Sequence, residues 1–597
     1  MAEPLEPLPY IWLPGLVERY ASFLSPKTII CVLRLVDKAT AEQFRGRPEL
    51  AAVILAQPAP PVAFAARLAA PGAVRGLTLA QRKHLLRLTA THGVVANMEA
   101  ALVAAGLVPD SQLHSDLNRN ACTGGHSSLA WRLLKSRLSD ETSAFRGSLE
   151  DAAAAGLQDV WKTVLSNHPS QPMHIMAYAT SAALRGGHLE LAELLLQRAL
   201  ANGPLGDGCW ARLLRAAASG CDLPTLTSLH QRCDDVPLNE VHIDEITAGA
   251  LSSAACSATP DWQAKVEWAE SRLPPGFVKR PGVCTVAAAC PDAEVRLAWL
   301  LGRGYPADEA AVDAVLHAGN AAALELLLAR GLRPEKPAAV TAAASNGWLE
   351  ALKKLRQHDV PIPAADVMRA AAVGGRLPVL EWAVQELGAS LQDLWLIHYA
   401  AEQCDREMLD WLRQHGCPLA ARQVARGAAQ RGDMPTLQWA VEELRASPQD
   451  FGLMNAAARS GRLEVLAWLW ERGCPWGATT LKNAVDTGCE AALEWLVERG
   501  CPMPSDGGPY TAAARNGDLA MLRCLARLSC SWGPASGPGA VFTSAMSMTS
   551  KGSEPLPVLR LLVDLGCPVD WEAITLYLPS NKAAAAWLKA EAARRRQ

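Results

Sequence analysis

Several features that mark membrane proteins and nucleic-acid-binding proteins are missing from this 597-residue chain. No apolar run reaches 18 residues, which excludes a membrane-spanning helix by sequence criteria, and the acidic, proline-rich start is unlike a secretion signal. A formal net charge of −3 gives no general attraction to nucleic acid or to an anionic membrane. We therefore expect a cytoplasmic or nuclear protein with neither nucleic acid nor membrane as a partner.

Motifs that carry catalysis or metal binding are missing as well. The sequence has no Walker loop, no Gly-x-Gly-x-x-Gly after a strand, no His-Glu-x-x-His and no nucleophile elbow. Its thirteen His are scattered, and no Cys-x-x-Cys pair has a matching second pair that would hold zinc. The sequence therefore predicts a protein that is not an enzyme and that needs no cofactor or metal.

Phe and Tyr are scarce, at seven each, whereas nineteen Trp are present. Many of these Trp occupy one position of a repeated unit, which is clearest over residues 456–475. The residue before the second helix of each unit, usually Gly, serves as the anchor of the repeat. Anchors spaced by 27 to 29 residues are Gly319, Gly347, Gly375, Cys404, Gly432, Gly461, Gly488 and Gly517. A period of this length indicates a solenoid of stacked repeats.

Each unit has the composition of a helix pair. The residues five and eight positions after the anchor are apolar, as in Leu466 and Leu469, which places them on one helix face. Trp stands seven positions after several anchors, and an Ala run precedes the anchor, so the first helix has little bulk. A second Gly, such as Gly473, follows the second helix, where a left-handed residue ends a helix.

The predicted fold is an all-α, helix-turn-helix solenoid with a small N-terminal helical module. We divide it into a helical module over residues 1–45, a Pro/Ala-rich connector over 46–80, and repeats of 31–33 residues over 81–220. An irregular repeat with an insertion follows over 221–290, and then repeats of 27–29 residues over 291–530. Residues 531–597 hold a loop insertion, a last repeat and a C-terminal capping helix.

The repeats resemble ankyrin repeats most closely at Gly187-His188, where the sequence continues with the apolar core of a second helix. The resemblance implies a protein-binding array with the short first helices on its concave side. The units near the C-terminus are about five residues shorter than an ankyrin repeat. They are therefore expected to keep the two helices and to lose most of the β-hairpin finger.

The first 45 residues resemble an F-box, with a Leu-Pro start, an apolar helix ending in Leu-Ser-Pro, and Arg34-Leu35-Val36 near the close. The resemblance implies docking onto a Skp-type adaptor of a cullin ubiquitin ligase. The residues expected to make that contact are Leu13, Pro14, Leu16, Val17, Leu24, Leu33 and Val36. The alternative is a helical cap that shields the core of the first repeat.

Several of the sixteen cysteines also share one repeated position: Cys417, Cys474, Cys501, Cys530 and Cys567. Equivalent positions of neighbouring repeats lie roughly 8–10 Å apart, the packing distance of helices. This exceeds the ~7 Å Cα separation that a disulfide allows. We expect these thiols to be reduced and buried.

Helix geometry also predicts a target-binding groove. Residues six and two positions before an anchor share one face of the first helix, while the Ala run between them turns inward. The groove positions are Arg369, His398, Arg426, Gln430, Asn455, Arg459, Lys482, Asp486, Thr511 and Arg515. Because Arg and Lys outnumber acids there, we expect a mildly basic groove that accepts an acidic or phosphorylated segment; the alternative is an ordinary solvated helix face.

These observations predict a protein that captures a protein target in its concave groove, and the F-box resemblance implies that it acts as substrate receptor of a cullin-type ubiquitin ligase. The alternative is an ankyrin-repeat scaffold unrelated to ubiquitin, with residues 1–45 acting only as an N-terminal cap.

Overall fold

The computed structural model describes residues 59–70, 72–135, 143–167, 172–234, 240–274, 276–403, 405–535, 540–547, 555–574 and 581–596. Within these ranges the regular secondary structure is helical, and no strand is present. The predicted class, an all-α array of helical repeats, is therefore confirmed. None of the described helices is both long and apolar enough to cross a membrane.

The described helices follow one another in pairs. The first part of the chain forms α1 (Pro61–Ala69), α2 (Leu79–His92), α3 (Val95–Ala105), α4 (Ser111–Thr123), α5 (Ser127–Lys135), α6 (Ser143–Ala154), α7 (Gln158–Asn167), α8 (Met173–Arg185), α9 (Leu189–Ala201), α10 (Asp207–Gly220), α11 (Leu223–Asp234) and α12 (Glu240–Ala255). The middle part forms α13 (Trp262–Glu270), α14 (Gly282–Ala288), α15 (Ala293–Gly302), α16 (Glu309–Ala318), α17 (Ala321–Leu328), α18 (Pro337–Asn346), α19 (Leu349–Gln357), α20 (Ala364–Val373), α21 (Leu377–Gln385), α22 (Leu394–Gln403), α23 (Arg406–Gln414), α24 (Ala421–Arg431) and α25 (Met434–Glu442). The last part forms α26 (Phe451–Ser460), α27 (Leu463–Glu471), α28 (Ala478–Thr487), α29 (Glu490–Glu498), α30 (Gly508–Arg515), α31 (Leu519–Arg527), α32 (Val541–Ser547), α33 (Leu556–Asp564), α34 (Trp571–Ile574) and α35 (Lys582–Arg596).

The core of each repeat follows the expected spacing. Leu466 and Leu469 are fully buried, as are the equivalent leucines of the repeats anchored at Gly319, Gly347 and Gly488. The Ala runs of the first helices are also buried, so neighbouring helices approach closely. The Trp position is less uniform, because Trp382 and Trp439 are buried whereas Trp468 is only half-buried and lies beneath the guanidinium of Arg472 at 3.7 Å. Arg472 stands four residues further along the same helix, so the pair covers one helix face.

The anchor glycines do more than end the first helix. Gly432 has φ +72° and occupies the left-handed region, where it ends the first helix of its repeat. A Cβ at this position would also collide with the side chain of Arg462, the residue that follows the anchor of the next repeat. The space that a Cβ would occupy at Gly93 and at Gly156 is taken in the same way by the side chains of His126 and His188. Because the anchor glycine of one repeat has no side chain, a side chain of the next repeat can pack against it.

The chain divides into two compact units, one formed by residues 1–148 with 484–597 and the other by residues 149–483. Within the first unit, α2 packs near residues 488–520. The Nη1 atom of Arg82 donates hydrogen bonds to the Ala105 carbonyl at 2.7 Å and to Asp518 Oδ1 at 2.9 Å. Its Nη2 atom donates to the Gly488 carbonyl at 2.7 Å and also to Asp518 Oδ2.

Backbone and surface contacts reinforce this junction. The Val108 amide donates to the Gly517 carbonyl at 2.9 Å, and the Ala520 amide donates to the Gly106 carbonyl at 3.2 Å. Nearby, Arg75 forms an ion pair with Glu494. The junction thus joins repeats that are far apart in sequence by buried charge, backbone hydrogen bonds and a more exposed ion pair.

The second unit, residues 149–483, carries helix pairs through the segment predicted to be irregular. Helices α12 and α13 form one pair and α14 and α15 the next. The loop between α13 and α14 contains the predicted insertion, and its described residues are not helical. From α8 to α26, each first helix packs against the first helix of the next repeat, which creates a continuous face for the site below.

Candidate binding surface on the first helices

The predicted groove positions are distributed over both units. Arg369, His398, Arg426, Gln430, Asn455, Arg459 and Lys482 belong to the 149–483 unit, and Asp486, Thr511 and Arg515 belong to the other. Each of them is half-buried or exposed, while the alanines at 456–458 and 512–514 between them are buried. Their side chains therefore lie on the outward face of the first helices. The F-box-like positions Leu13, Pro14, Leu16, Val17, Leu24, Leu33 and Val36 lie outside the described residues.

Arg369 is already committed to carboxylates. Its Nε and Nη2 atoms donate to Asp393 Oδ2 at 2.9 and 2.6 Å, and its Nη1 atom donates to Asp366 at 3.2 Å. The Asp393 carboxylate also accepts the Trp395 and Leu396 amides at the start of α22. The Arg369 guanidinium and these amides hold the pKa of Asp393 below its ordinary value. This arginine therefore links two neighbouring first helices.

Arg426 forms the same link one repeat pair later. Its Nε and Nη2 atoms donate to Asp450 at 2.8 and 3.0 Å, and Asp450 accepts the Gly452 amide at the start of α26. A Cβ at Gly452 would collide with the Arg426 guanidinium, so glycine is required for this close approach. Arg422 donates to the same Asp450 carboxylate at 2.8 and 3.1 Å. The two guanidinium groups keep the pKa of Asp450 far below its ordinary value.

The other groove positions mostly hydrogen-bond along or between helices. His398 lies 3.4 Å from Glu402 on the same helix. The Asn455 Oδ1 atom accepts a hydrogen bond from the Thr480 hydroxyl at 2.7 Å, and Arg459 Nε donates to Asn483 at 3.4 Å. Much of the predicted groove is therefore a ladder of polar contacts between repeats.

Aromatic side chains that the sequence reasoning missed lie among these polar positions. Trp395 is 58% exposed on α22 and stacks on Tyr399 with ring centroids 6.1 Å apart. Phe451 is 61% exposed at the start of α26. The available signal was an aromatic residue on a first helix, outside the Trp position of the second helix. We call Trp395, Tyr399, Arg422, Arg426 and Phe451 the aromatic–arginine patch; it spans α22, α24 and α26, which pack in succession.

An equivalent region lies one repeat pair, or 57 residues, earlier in the sequence, and the patch differs from it. Arg369 and Asp393 correspond to Arg426 and Asp450, and both pairs make the same contact. The neighbouring residues have opposite charge character, because Ala365-Asp366 corresponds to Arg422-Gln423. In the earlier repeat pair the acid Asp366 lies beside Arg369, whereas in the later pair a second arginine, Arg422, lies beside Arg426.

Comparison with known proteins finds matches among solved structures. No protein-family model matches the chain, and no curated protein matches it significantly. Among solved structures, the chain is similar to the pentatricopeptide repeat protein PPR10 in complex with an 18-nt psaJ RNA element, with 14% identity over 79% of this chain and 81% of that chain and a TM-score of 0.35. The structure of PPR10 from maize gives 12% identity over 86% and 80% of the two chains and a TM-score of 0.22.

These complexes require one correction. The prediction that nucleic acid is not a partner rested on net charge, and solved helical-repeat structures that hold RNA contradict it. Net charge averages over the whole chain and does not describe a local surface, so the prediction is withdrawn. A TM-score of 0.35 is too low to assign RNA to this chain.

Proposed function

We propose that the protein is a non-enzymatic binding scaffold whose first helices capture a polypeptide. The observation that carries this proposal is the exposure of Trp395 and Phe451, whose helices bury Leu396, Ile397, Leu453 and Met454 in the core. Scattered exposed apolar residues are ordinary on protein surfaces. These two flank a pair of arginines on consecutive helices, and Trp, Tyr and Arg are the residue types that dominate binding energy at protein interfaces.

In its finer form, the proposal describes the repeats as short and divergent ankyrin-like repeats. The paired helices, the left-handed anchor glycines and the Gly187-His188 motif support it. The described residues have no strand, which agrees with shortened or missing fingers. Binding through first helices is the mode that the resemblance implies.

The proposal extends to ubiquitin ligation only through residues 1–45. Their resemblance to an F-box suggests that the bound polypeptide is a substrate and that the scaffold is its receptor. If those residues act as a cap instead, the binding function of the first helices is unaffected. The two versions therefore differ in the adaptor and not in the binding surface.

The test is affinity capture from cells that express the full chain, with quantitative mass spectrometry and confirmation of direct binding with purified partner. The variant W395A/F451A removes both exposed rings, while V278A truncates a 75% exposed apolar residue of the same unit as a matched control. We expect a partner that is lost with W395A/F451A and retained with V278A. Equal capture by all three proteins would refute the proposal.

A further inference from the structure

The aromatic–arginine patch has a specific charge and spacing. We infer that it takes an extended acidic polypeptide segment, in which one carboxylate is flanked by apolar side chains about three residues to each side. This inference rests on the proposed function and specifies the chemistry of its partner.

The charge follows from the contacts of Asp450. Two guanidinium groups share this one carboxylate, which is only 9% exposed, so one positive charge remains uncompensated. Asp450 already accepts both arginines and the Gly452 amide, and its oxygens are therefore fully used. An external carboxylate can therefore pair with the second arginine without competing for Asp450.

The geometry leaves hydrogen-bond donors for that anion. Arg422 and Arg426 use Nε and Nη2 for Asp450, and neither Nη1 atom has a partner within the described residues. Their side chains are 62% and 38% exposed, so these donors are accessible. Arginine binds carboxylates through such donors with charge-assisted hydrogen bonds. Arg369, by contrast, engages Asp393 and Asp366 with all three of its nitrogens, which leaves no equivalent site there.

The spacing follows from the order of the helices. The arginines of α24 lie between α22, which carries Trp395 and Tyr399, and α26, which carries Phe451. Packed helices are roughly 8–10 Å apart, and an extended chain rises about 3.3 Å per residue. A strand-like segment that crosses the three helices therefore advances about three residues per helix. Its acidic residue and two apolar residues then reach the arginines and the two aromatic sites.

The same face favours a polypeptide over single-stranded RNA. A nucleic acid presents a phosphate at every nucleotide and needs a basic track that follows its backbone. Here the exposed carboxylates of Asp366 and Glu402 lie on α20 and α22, and the charge of Arg369 is compensated. Carboxylates therefore interrupt the basic side chains on this face, which matches one acidic side chain at the arginine pair rather than a run of phosphates.

The experiment measures fluorescence anisotropy of labelled ten-residue peptides with the full chain. The first peptide has Glu at its centre and Phe three residues to each side; the second replaces Glu by Lys, and the third replaces both Phe by Ala. Labelled ten-nucleotide oligouridine is the fourth probe. We expect the Glu peptide to bind at least about tenfold more tightly than each of the other probes, with affinity falling as salt rises.

Two variants locate the effect. R422Q removes the uncompensated charge while leaving the Arg426–Asp450 link, and R330Q makes the same change on an exposed arginine at the end of a second helix in the same unit. R422Q should weaken binding of the Glu peptide about tenfold and leave the affinity for the Lys peptide unchanged. R330Q should change neither affinity.

The possible outcomes are distinct. Equal binding of the Glu and Lys peptides that W395A/F451A abolishes would overturn the inference and leave the proposed function standing. Peptide binding that none of the patch variants alters would overturn both. Oligouridine binding that exceeds peptide binding and is lost in R422Q would replace the polypeptide by a nucleic acid.

Discussion

Arg82 and Asp518 stand 436 positions apart in the chain, yet they form an ion pair in which both side chains are only 1% exposed. Asp518 also caps α31 by accepting the Met521 amide at 3.0 Å. Arg82 in turn satisfies two main-chain carbonyls. The pair thus combines the charge, the helix cap and the hydrogen bonds that hold α2 to residues 488–520.

Removing one member of this pair should release the junction. R82M leaves the Asp518 carboxylate buried without its counter-ion, which costs about 3 kcal/mol or more in comparable buried pairs. We expect faster amide hydrogen exchange in peptides covering residues 79–105 and 488–520, with residues 300–400 unchanged. The double variant R82M/D518L, which removes both charges, should recover part of the protection. Equal protection in R82M and wild type would show that the pair does not hold the junction.

The anchor glycines allow a matched test of how repeats stack. G416A and G432A both place Ala at a left-handed residue, with φ of +78° and +72°, but only position 432 is filled by the next repeat. G416A should cost about 1 kcal/mol through φ strain. G432A should cost roughly 1–3 kcal/mol more, because Arg462 must move. R462A in the G432A background should remove the difference in denaturant unfolding; a persistent difference would mean that Arg462 is not the obstacle.

Buried thiols should make stability fall in alkali. Burial raises the pKa of Cys417, Cys474 and Cys524 to about 11 and that of Cys567 to about 12. A thiol whose pKa is higher in the folded state contributes fully below its unfolded pKa of 9.0, and the contribution is lost as pH rises through the folded value. We expect a loss on the order of 1 kcal/mol per such thiol by pH 10.

The effect is measured as the difference in the free energy of unfolding between pH 8 and pH 10. This difference should be smaller in the variant C417S/C474S, which lacks two of the thiols. Titration of the denatured chain without reductant should also give close to sixteen thiols, as the sequence-based prediction requires. Four or more missing thiols would contradict it.

The sequence predicts the helix pairs, the anchor glycines and the buried leucines, because each of these depends on local spacing. It does not predict the Arg82–Asp518 contact, since no periodicity relates residues that far apart. One signal was present: Arg82 interrupts the core face of α2, where Leu86 and Ala90 are buried. A charged residue on a core face implies a distant partner but does not name it.

The sequence indicated the proposed binding surface only in part, for a different reason. Helix geometry predicted that Arg369 and Arg426 lie on the outward face, but it could not show that Asp393 and Asp450 already engage them. Each of these acids stands at the start of the first helix of the next repeat, where it accepts backbone amides as a helix cap. From the sequence this capping role accounts for the acid, so a second role as counter-ion is not apparent. The sequence pattern did not indicate Trp395, because this residue lies on a first helix and the repeated Trp position belongs to the second helix.

The repeat pairs offer a gain-of-function test. A365R/D366Q gives the earlier repeat pair the residues of its later counterpart, Arg422-Gln423. The variant should place a second guanidinium beside Asp393 and remove Asp366, the additional acid that engages Arg369. We expect a second, weaker binding event for the Glu peptide, while A365Q/D366Q, which adds no charge, should show one event. A single event in both variants would indicate that the arginine pair is not sufficient.

The F-box-like segment requires a separate experiment. L16D/V17D places two charges on the apolar surface that would contact a Skp-type adaptor. If the segment is an F-box, adaptor and cullin should be lost from the captured proteins, with the thermal transition of the repeats nearly unchanged. If it is a cap, the transition should fall instead, because the variant exposes the core of the first repeat.

Site-specific photocrosslinking tests the central claim, that the first helices capture a polypeptide, most directly. The full chain would carry benzoylphenylalanine at position 395 or, as control, at position 278, and adducts would be identified by mass spectrometry after irradiation in cells. We predict polypeptide adducts at position 395 that are absent at position 278 and that map to acidic segments. Equal labelling at both positions, or nucleic-acid adducts at position 395, would contradict the claim.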